Sequence, residues 1–168
     1  MKPIIRTMAL AGLLALAAGS ASAAVSVTYI KPESFHDLPF ASWERDEMLQ
    51  QVSDHFAKLG KALPPGQDLR IEVTDFDPAG RLIPNASMGR DLRVMTGRAD
   101  WPRMDLRYTL EQDGKVLKSG EAKLSDMNYQ QTFNQYFDSE PLRYEKKMID
   151  TWFGQNIAPV DRRTVGHR

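Results

Sequence analysis

Arg103-Met104-Asp105-Leu106-Arg107-Tyr108-Thr109-Leu110-Glu111-Gln112-Asp113-Gly114-Lys115-Val116-Leu117 is the stretch whose reading decides the fold. Met104, Leu106, Tyr108 and Leu110 alternate with Arg103, Asp105, Arg107 and Thr109. That period of two is a strand with one greasy and one wet face. Asp113-Gly114 is a preferred two-residue type I′ turn, so the chain returns as an antiparallel partner. With that turn Leu110 faces Leu117 and Tyr108 faces Ser119. Strict pairing would then bring Glu121 onto the apolar face. A bulge at Gly120 is therefore expected, resetting the parity so that Ala122 and Leu124 face inward.

Working back from the hairpin, Gly97 to Pro102 reads as a turn bearing Trp101. Leu92 and Val94 suggest a strand near residues 90–96, and residues 81–89 read as a loop. Leu69, Ile71 and Val73 alternate with Arg70, Glu72 and Thr74 in a half-buried strand that runs into a turn at Asp75-Phe76-Asp77-Pro78-Ala79-Gly80. A helix precedes it. Ser42 is the expected N-cap, Met48, Leu49, Val52, Phe56 and Leu59 make one face, and Gly60 suits a left-handed C′ position before Pro64-Pro65-Gly66. The loop through Phe35, Leu38, Pro39 and Phe40 is apolar enough to pack onto the body. Val25 to Ile30 is rich in β-branched residues and forms the first strand.

Forward of the hairpin, residues 125–140 mix amides and aromatics with no firm period. A final helix starts near Pro141, with Leu142, Met148, Ile149, Trp152 and Phe153 on its apolar face. The expectation is an α+β fold: a single antiparallel sheet of about four to five strands with two helices packed on one face.

The amino terminus carries an address. Lys2 and Arg6 precede an apolar run from Met8 to Ala18, and small residues stand at Ala21 and Ala23. This is the pattern of a secretory signal peptide cleaved after Ala23. The run is about half of the roughly 20 residues that span a bilayer. The expected organisation is residues 1–23 as signal peptide, 24–157 as one globular domain and 158–168 as a disordered polar tail. The expected location is the periplasm, without stable membrane insertion.

The precursor balances 22 basic against 22 acidic side chains. Loss of Lys2 and Arg6 leaves 20 against 22, a formal charge of −2. Such a chain has no global field to draw it onto nucleic acid or an anionic membrane, so electrostatic recognition must come from a local patch. The absence of cysteine excludes disulfides, thiolate metal sites and cysteine nucleophiles.

Four stretches stand out together: Tyr29-Ile30-Lys31-Pro32-Glu33-Ser34-Phe35; Ser42-Trp43-Glu44-Arg45-Asp46; Ala99-Asp100-Trp101-Pro102-Arg103; and Leu124-Ser125-Asp126-Met127-Asn128-Tyr129 with Leu142-Arg143-Tyr144-Glu145-Lys146. In these the chain resembles a bacterial exported family catalogued as domain of unknown function three thousand and sixteen. The resemblance runs from about Val25 to Phe153. It implies a periplasmic address in Gram-negative bacteria and brings no catalytic residues with it.

Candidate sites are few. His36-Asp37 and Asp54-His55 place imidazoles beside carboxylates, but sequence neighbours point apart, and the expectation is a loop histidine and a solvated helix face. Asp75, Asp77 and Gly80 resemble the opening of a calcium loop whose later ligands are missing, with Ala86 at the twelfth position. No serine sits in a G-x-S-x-G setting, and Ser125-Asp126 has no evident histidine. Arginines gather at Arg81, Arg90, Arg93, Arg98, Arg103 and Arg107. A guanidinium fork grips carboxylates or phosphates, so the patch suits an anionic envelope glycan or a lipid head group, although Asp91, Asp100 and Asp105 are interleaved. Trp101 is the aromatic best placed for an exposed contact, whereas Trp152 belongs to the core.

The resulting expectation is a non-catalytic binding or adaptor domain of the cell envelope, with Arg93, Trp101, Arg103 and Arg107 as ligand-binding residues and no metal or cofactor. Its partner is an envelope protein or an anionic glycan and not nucleic acid. Two alternatives stand beside it. One is a metal-dependent or acid–base hydrolase using His36, Asp37, Asp75 and Asp77. The other is an assembly subunit that pairs through an edge strand.

Overall fold

A computed structural model describes residues 23–84 and 91–160. The expected signal peptide before Ala23, positions 85–90 and the expected tail from residue 161 on lie outside the described residues. The element order is β1 (Ala24–Tyr29), α1 (Ser42–Gly60), β2 (Gln67–Asp77), β3 (Arg81–Ile83), β4 (Leu92–Val94), β5 (Arg103–Gln112), β6 (Lys115–Ser125) and α2 (Arg143–Asn156). The chain is a mixed α+β fold. Four strands form the main sheet in the order β1-β2-β5-β6, and β3 and β4 make a separate two-stranded ribbon.

The expected purely antiparallel sheet is corrected at its first strand. β1 runs parallel to β2, from Ala24 opposite Asp68 to Tyr29 opposite Val73, while β2–β5 and β5–β6 are antiparallel. A parallel neighbour needs a crossover of a dozen or more residues, and α1 supplies it. The strand-helix-strand order that encodes this crossover was in the sequence.

The hairpin turn forms as expected, with Asp113 at φ 50° and Gly114 at φ 78°, the positive values a type I′ turn requires. The extra residue falls elsewhere. Leu110 faces Lys118 and Glu111 faces Val116, so the bulged residue is Leu117, beside the turn, and not Gly120. Parity is reset there, and Leu106 faces Ala122 and Met104 faces Leu124. A second bulge, at Thr74, carries β2 through the Asp75–Asp77 segment that reads as a turn in sequence. Residues 81–83 likewise form a strand where a loop was expected.

Several local expectations about α1 change. The helix begins at Ser42 itself, the cap position is Ala41, and no side chain caps it. Gly60 lies inside the helix, and its role is space: a Cβ there would stand 2.2 Å from Val25 Cγ2 on β1. In the preceding loop Phe35 and Leu38 pack on the core, but Phe40 is 98% exposed.

One apolar cluster holds the molecule together. It joins Val52 and Phe56 of α1, Ile149 and Phe153 of α2, and Leu69, Ile71 and Leu106 of the sheet. Ala158 and Val160, at the start of the expected tail, also pack against it. Fully burying each such side chain contributes about 1.5–3 kcal/mol, so packing suffices without disulfides. Among the described residues no helix is long and apolar enough to cross a membrane.

Candidate functional site

The bulge at Thr74 positions the site. Up to Val73 the odd-numbered residues of β2 face the core. The extra residue reverses the alternation, so Phe76 stays buried while Asp75 and Asp77 are carried onto the open side. Thr74 Oγ1 fastens the bulge by donating to the Asp105 carbonyl at 3.2 Å. Across the sheet, Asp75 faces Asp105 and then Lys123, and Asp77 faces Arg103 and then Ser125.

Around these two rows lies a cleft of about 480 Å³ whose walls include His36, Asp75, Asp77, Trp101, Arg103 and Lys123. His36 Nδ1 sits 2.9 Å and 3.1 Å from the two carboxylate oxygens of Asp75. Arg103 forks onto Asp77 Oδ2, with Nε at 3.1 Å. The same guanidinium lies 5.8 Å from the centre of the Trp101 ring, within cation–π range. Trp101 is half-buried, because its ring also packs against the small cluster of Ala79, Tyr129 and Tyr144. Lys123 pairs with Asp105 at 3.3 Å.

Of the four expected ligand residues the structure brings two together, Trp101 and Arg103. Arg107 stands further along β5, bonded through Nε to Glu121 at 2.9 Å. Arg93 lies elsewhere, clamping Asp37 at 2.9 Å and donating to the Asp37 carbonyl at 2.5 Å. The open sheet face is thus a set of cross-strand ion pairs, Arg70–Glu111, Arg107–Glu121, Asp105–Lys123 and Arg103–Asp77. Exposed pairs of this kind add little to stability, but together they cancel the positive charge that the arginine run suggests.

The hydrolase set of His36, Asp37, Asp75 and Asp77 does not converge as four. His36 and Asp75 meet, Asp37 is held by Arg93 and the Leu82 amide, and Asp77 is held by Arg103. Ser125 is on the cleft wall but two strands from Asp77 in its row, roughly 10 Å at the usual strand spacing. Among the described residues no group of three or more His, Cys, Asp or Glu side chains has a geometry that could hold a metal ion.

The largest surprise is His55, expected on a solvated helix face and in fact buried. Its Nε2 lies 2.7 Å from Asp150 Oδ1, and Asp150 Oδ2 accepts from Gln135 and from the Tyr136 hydroxyl, both at 2.6 Å. The signal was present: Val52, His55 and Leu59 are spaced by three and four, so the imidazole sits on the apolar stripe. The amide-rich run at 130–137 then has a purpose, since Gln135 and Tyr136 satisfy a buried carboxylate.

Two more carboxyls are buried. Burial pulls Asp100 up, but hydrogen bonds from the Thr96 amide and hydroxyl, the Tyr129 hydroxyl and the Arg98 backbone outweigh it and hold its pKa below the ordinary value. Glu145 goes the other way. Burial raises its pKa, opposed by the Ala79 N–H it accepts at 2.7 Å and by the charges of Arg93 and Lys146. A raised folded-state pKa contributes stability below the unfolded value that is lost as pH climbs towards the folded one. Glu145→Gln keeps an oxygen for Ala79 and cannot ionise. Its melting temperature relative to the native chain should therefore rise as pH is taken above the ordinary glutamate value of 4.5. A pH-independent difference between the two melting curves would refute this.

Comparison with family models matches residues 23–155 to the family described as "Protein of unknown function (DUF3016)". No curated protein and no solved structure matches the chain.

Proposed function

This chain belongs to the DUF3016 family, and from a membership that carries no activity we propose that it is a non-catalytic binding domain of the cell envelope, taking its ligand in the cleft around Trp101 and Arg103. The observation that carries the reading is the convergence of an aromatic ring, a guanidinium fork and the His36–Asp75 pair on one cavity wall. Two helices roofing one side of the sheet leave the other side, with its cleft, free to meet a partner. Because Asp77 already engages Arg103, a ligand exchanges one set of polar contacts for another, and saccharide hydroxyls, which donate and accept, suit such a wall.

Export is part of the proposal. β1 starts at Ala24, the residue after the expected cleavage point, and the Ala24 amide bonds Asp68 Oδ1 at 3.2 Å. A first strand that starts just past the expected cleavage point supports export. A mature protein whose mass begins at Ala24 supports this reading, and an intact precursor in the cytosol defeats it.

The cleft is tested by titrating neutral and anionic envelope glycan fragments while following the Trp101 indole signal by NMR. One class is expected to shift that signal, and Arg103→Glu should weaken the binding about tenfold or more, the scale of a lost charge-assisted hydrogen bond. Identical titrations for the native and Arg103→Glu chains would remove the cleft from consideration.

A second reading keeps His36 as an acid–base group. It is favoured only by the Nδ1–Asp75 contact, which orients an exposed imidazole. Turnover of any envelope substrate that disappears in His36→Ala would establish it.

A further inference from the structure

The β3–β4 ribbon has two unlike faces. Leu82 opposite Arg93 makes the inner one, where the Leu82 amide and the Arg93 guanidinium both bind Asp37 and fix the ribbon to the body. Arg81 opposite Val94 and Ile83 opposite Leu92 make the outer one. There Ile83, Leu92 and Val94, with Met95 just beyond, are between 39% and 49% exposed. These are side chains that a strand normally turns inward. The paired residues of this face, Arg81, Ile83, Leu92 and Val94, include no acid.

The stretch of sequence that carries the ribbon is also basic. Residues 81–98 hold Arg81, Arg90, Arg93 and Arg98 against Asp91, a balance of 4 − 1 = +3 in a chain whose total is zero. Arg93 is neutralised by Asp37. Arg81 and Arg98 are exposed and make no ion pair among the described residues. The ribbon therefore combines basic and apolar side chains on one exposed face.

Size decides what such a face can meet. Three residues of strand span about 10 Å, so two paired strands offer on the order of 100 Å². A stable protein partner or a second copy of this chain needs about 800 Å² from each side. A bilayer needs no matching footprint: its interface admits a few aliphatic side chains and offers phosphates to the guanidinium groups. We propose that the outer face of the β3–β4 ribbon is a peripheral, reversible contact for anionic phospholipid. The contact is separate from the cleft and does not depend on it.

The test is co-sedimentation of the chain beginning at Ala24 with vesicles of phosphatidylglycerol and phosphatidylethanolamine, against vesicles of phosphatidylcholine. Binding to the anionic vesicles should exceed binding to the neutral ones about tenfold and fall with added salt, as screening requires. Ile83→Asp with Leu92→Asp should abolish it. Arg81→Glu, at an exposed side chain that threatens no fold, should weaken it several-fold with an unchanged melting curve. Equal sedimentation with both vesicle types, or full binding by Arg81→Glu, overturns the proposal. So does a dimer that Ile83→Asp dissolves, which would assign the face to a second copy.

Discussion

Asp150→Ala lowers the unfolding free energy of the domain by about 3 kcal/mol or more, the scale of removing one partner from a buried polar pair. The side chain is a hub for three segments: His55 from α1, Gln135 and Tyr136 from the irregular stretch, and α2 on which it sits. Its removal strands two buried polar groups, His55 and the Tyr136 hydroxyl, each costing about 1–3 kcal/mol when unsatisfied, and frees the half-buried Gln135 amide. The Tyr136 phenol is pushed up by burial first and then by the Asp150 charge, so it remains a donor at every working pH. Urea unfolding of the native and variant chains measures the effect. A loss below about 1 kcal/mol would mean that water replaces the carboxylate and that the hub is not structural.

Gly60→Ala should also destabilise, against helix propensity. Alanine inside a helix is better than glycine by about 1 kcal/mol. Here the new methyl would stand 2.2 Å from Val25 Cγ2, far inside contact distance. Valine is stiff about χ1, and its strand is fixed by the ladder to β2, so the helix itself must shift. Overpacking of this kind costs about 1–3 kcal/mol. Val25→Ala in the same background should restore much of the loss, because it removes the clashing methyl. Equilibrium unfolding of the two single variants and the double variant provides the cycle. A stabilised Gly60→Ala would show that the helix and β1 have slack.

Period and turn chemistry are local, and they were readable. The alternation of Met104 to Leu110, the Asp113-Gly114 turn and both helices follow from neighbours in sequence. What depends on distant partners was hidden. The parallel pairing of β1, the bulges at Thr74 and Leu117 and the β3 strand are set by which residues face each other across the sheet. The site divides in the same way. Trp101 and Arg103 are two apart and were found together, whereas His55 and Asp150 are 95 residues apart and only the fold joins them. Arg93 and Arg107 were grouped with them by proximity in the chain, and strand geometry scatters that group.

The parallel placement of β1 also governs how fast the native sheet is reached. Every pair of the β1–β2 ladder spans 44 residues, whereas the β2–β5 ladder can close from Asp77 and Arg103, 26 apart, so the parallel ladder closes the largest loop of the main sheet. Only the β5–β6 ladder joins neighbours through a two-residue turn. Rates fall as mean contact separation grows, because the chain gives up loop entropy before those contacts repay it. The hairpin is thus the natural nucleus, and the amino-terminal strand, first to be synthesised, waits longest for its place.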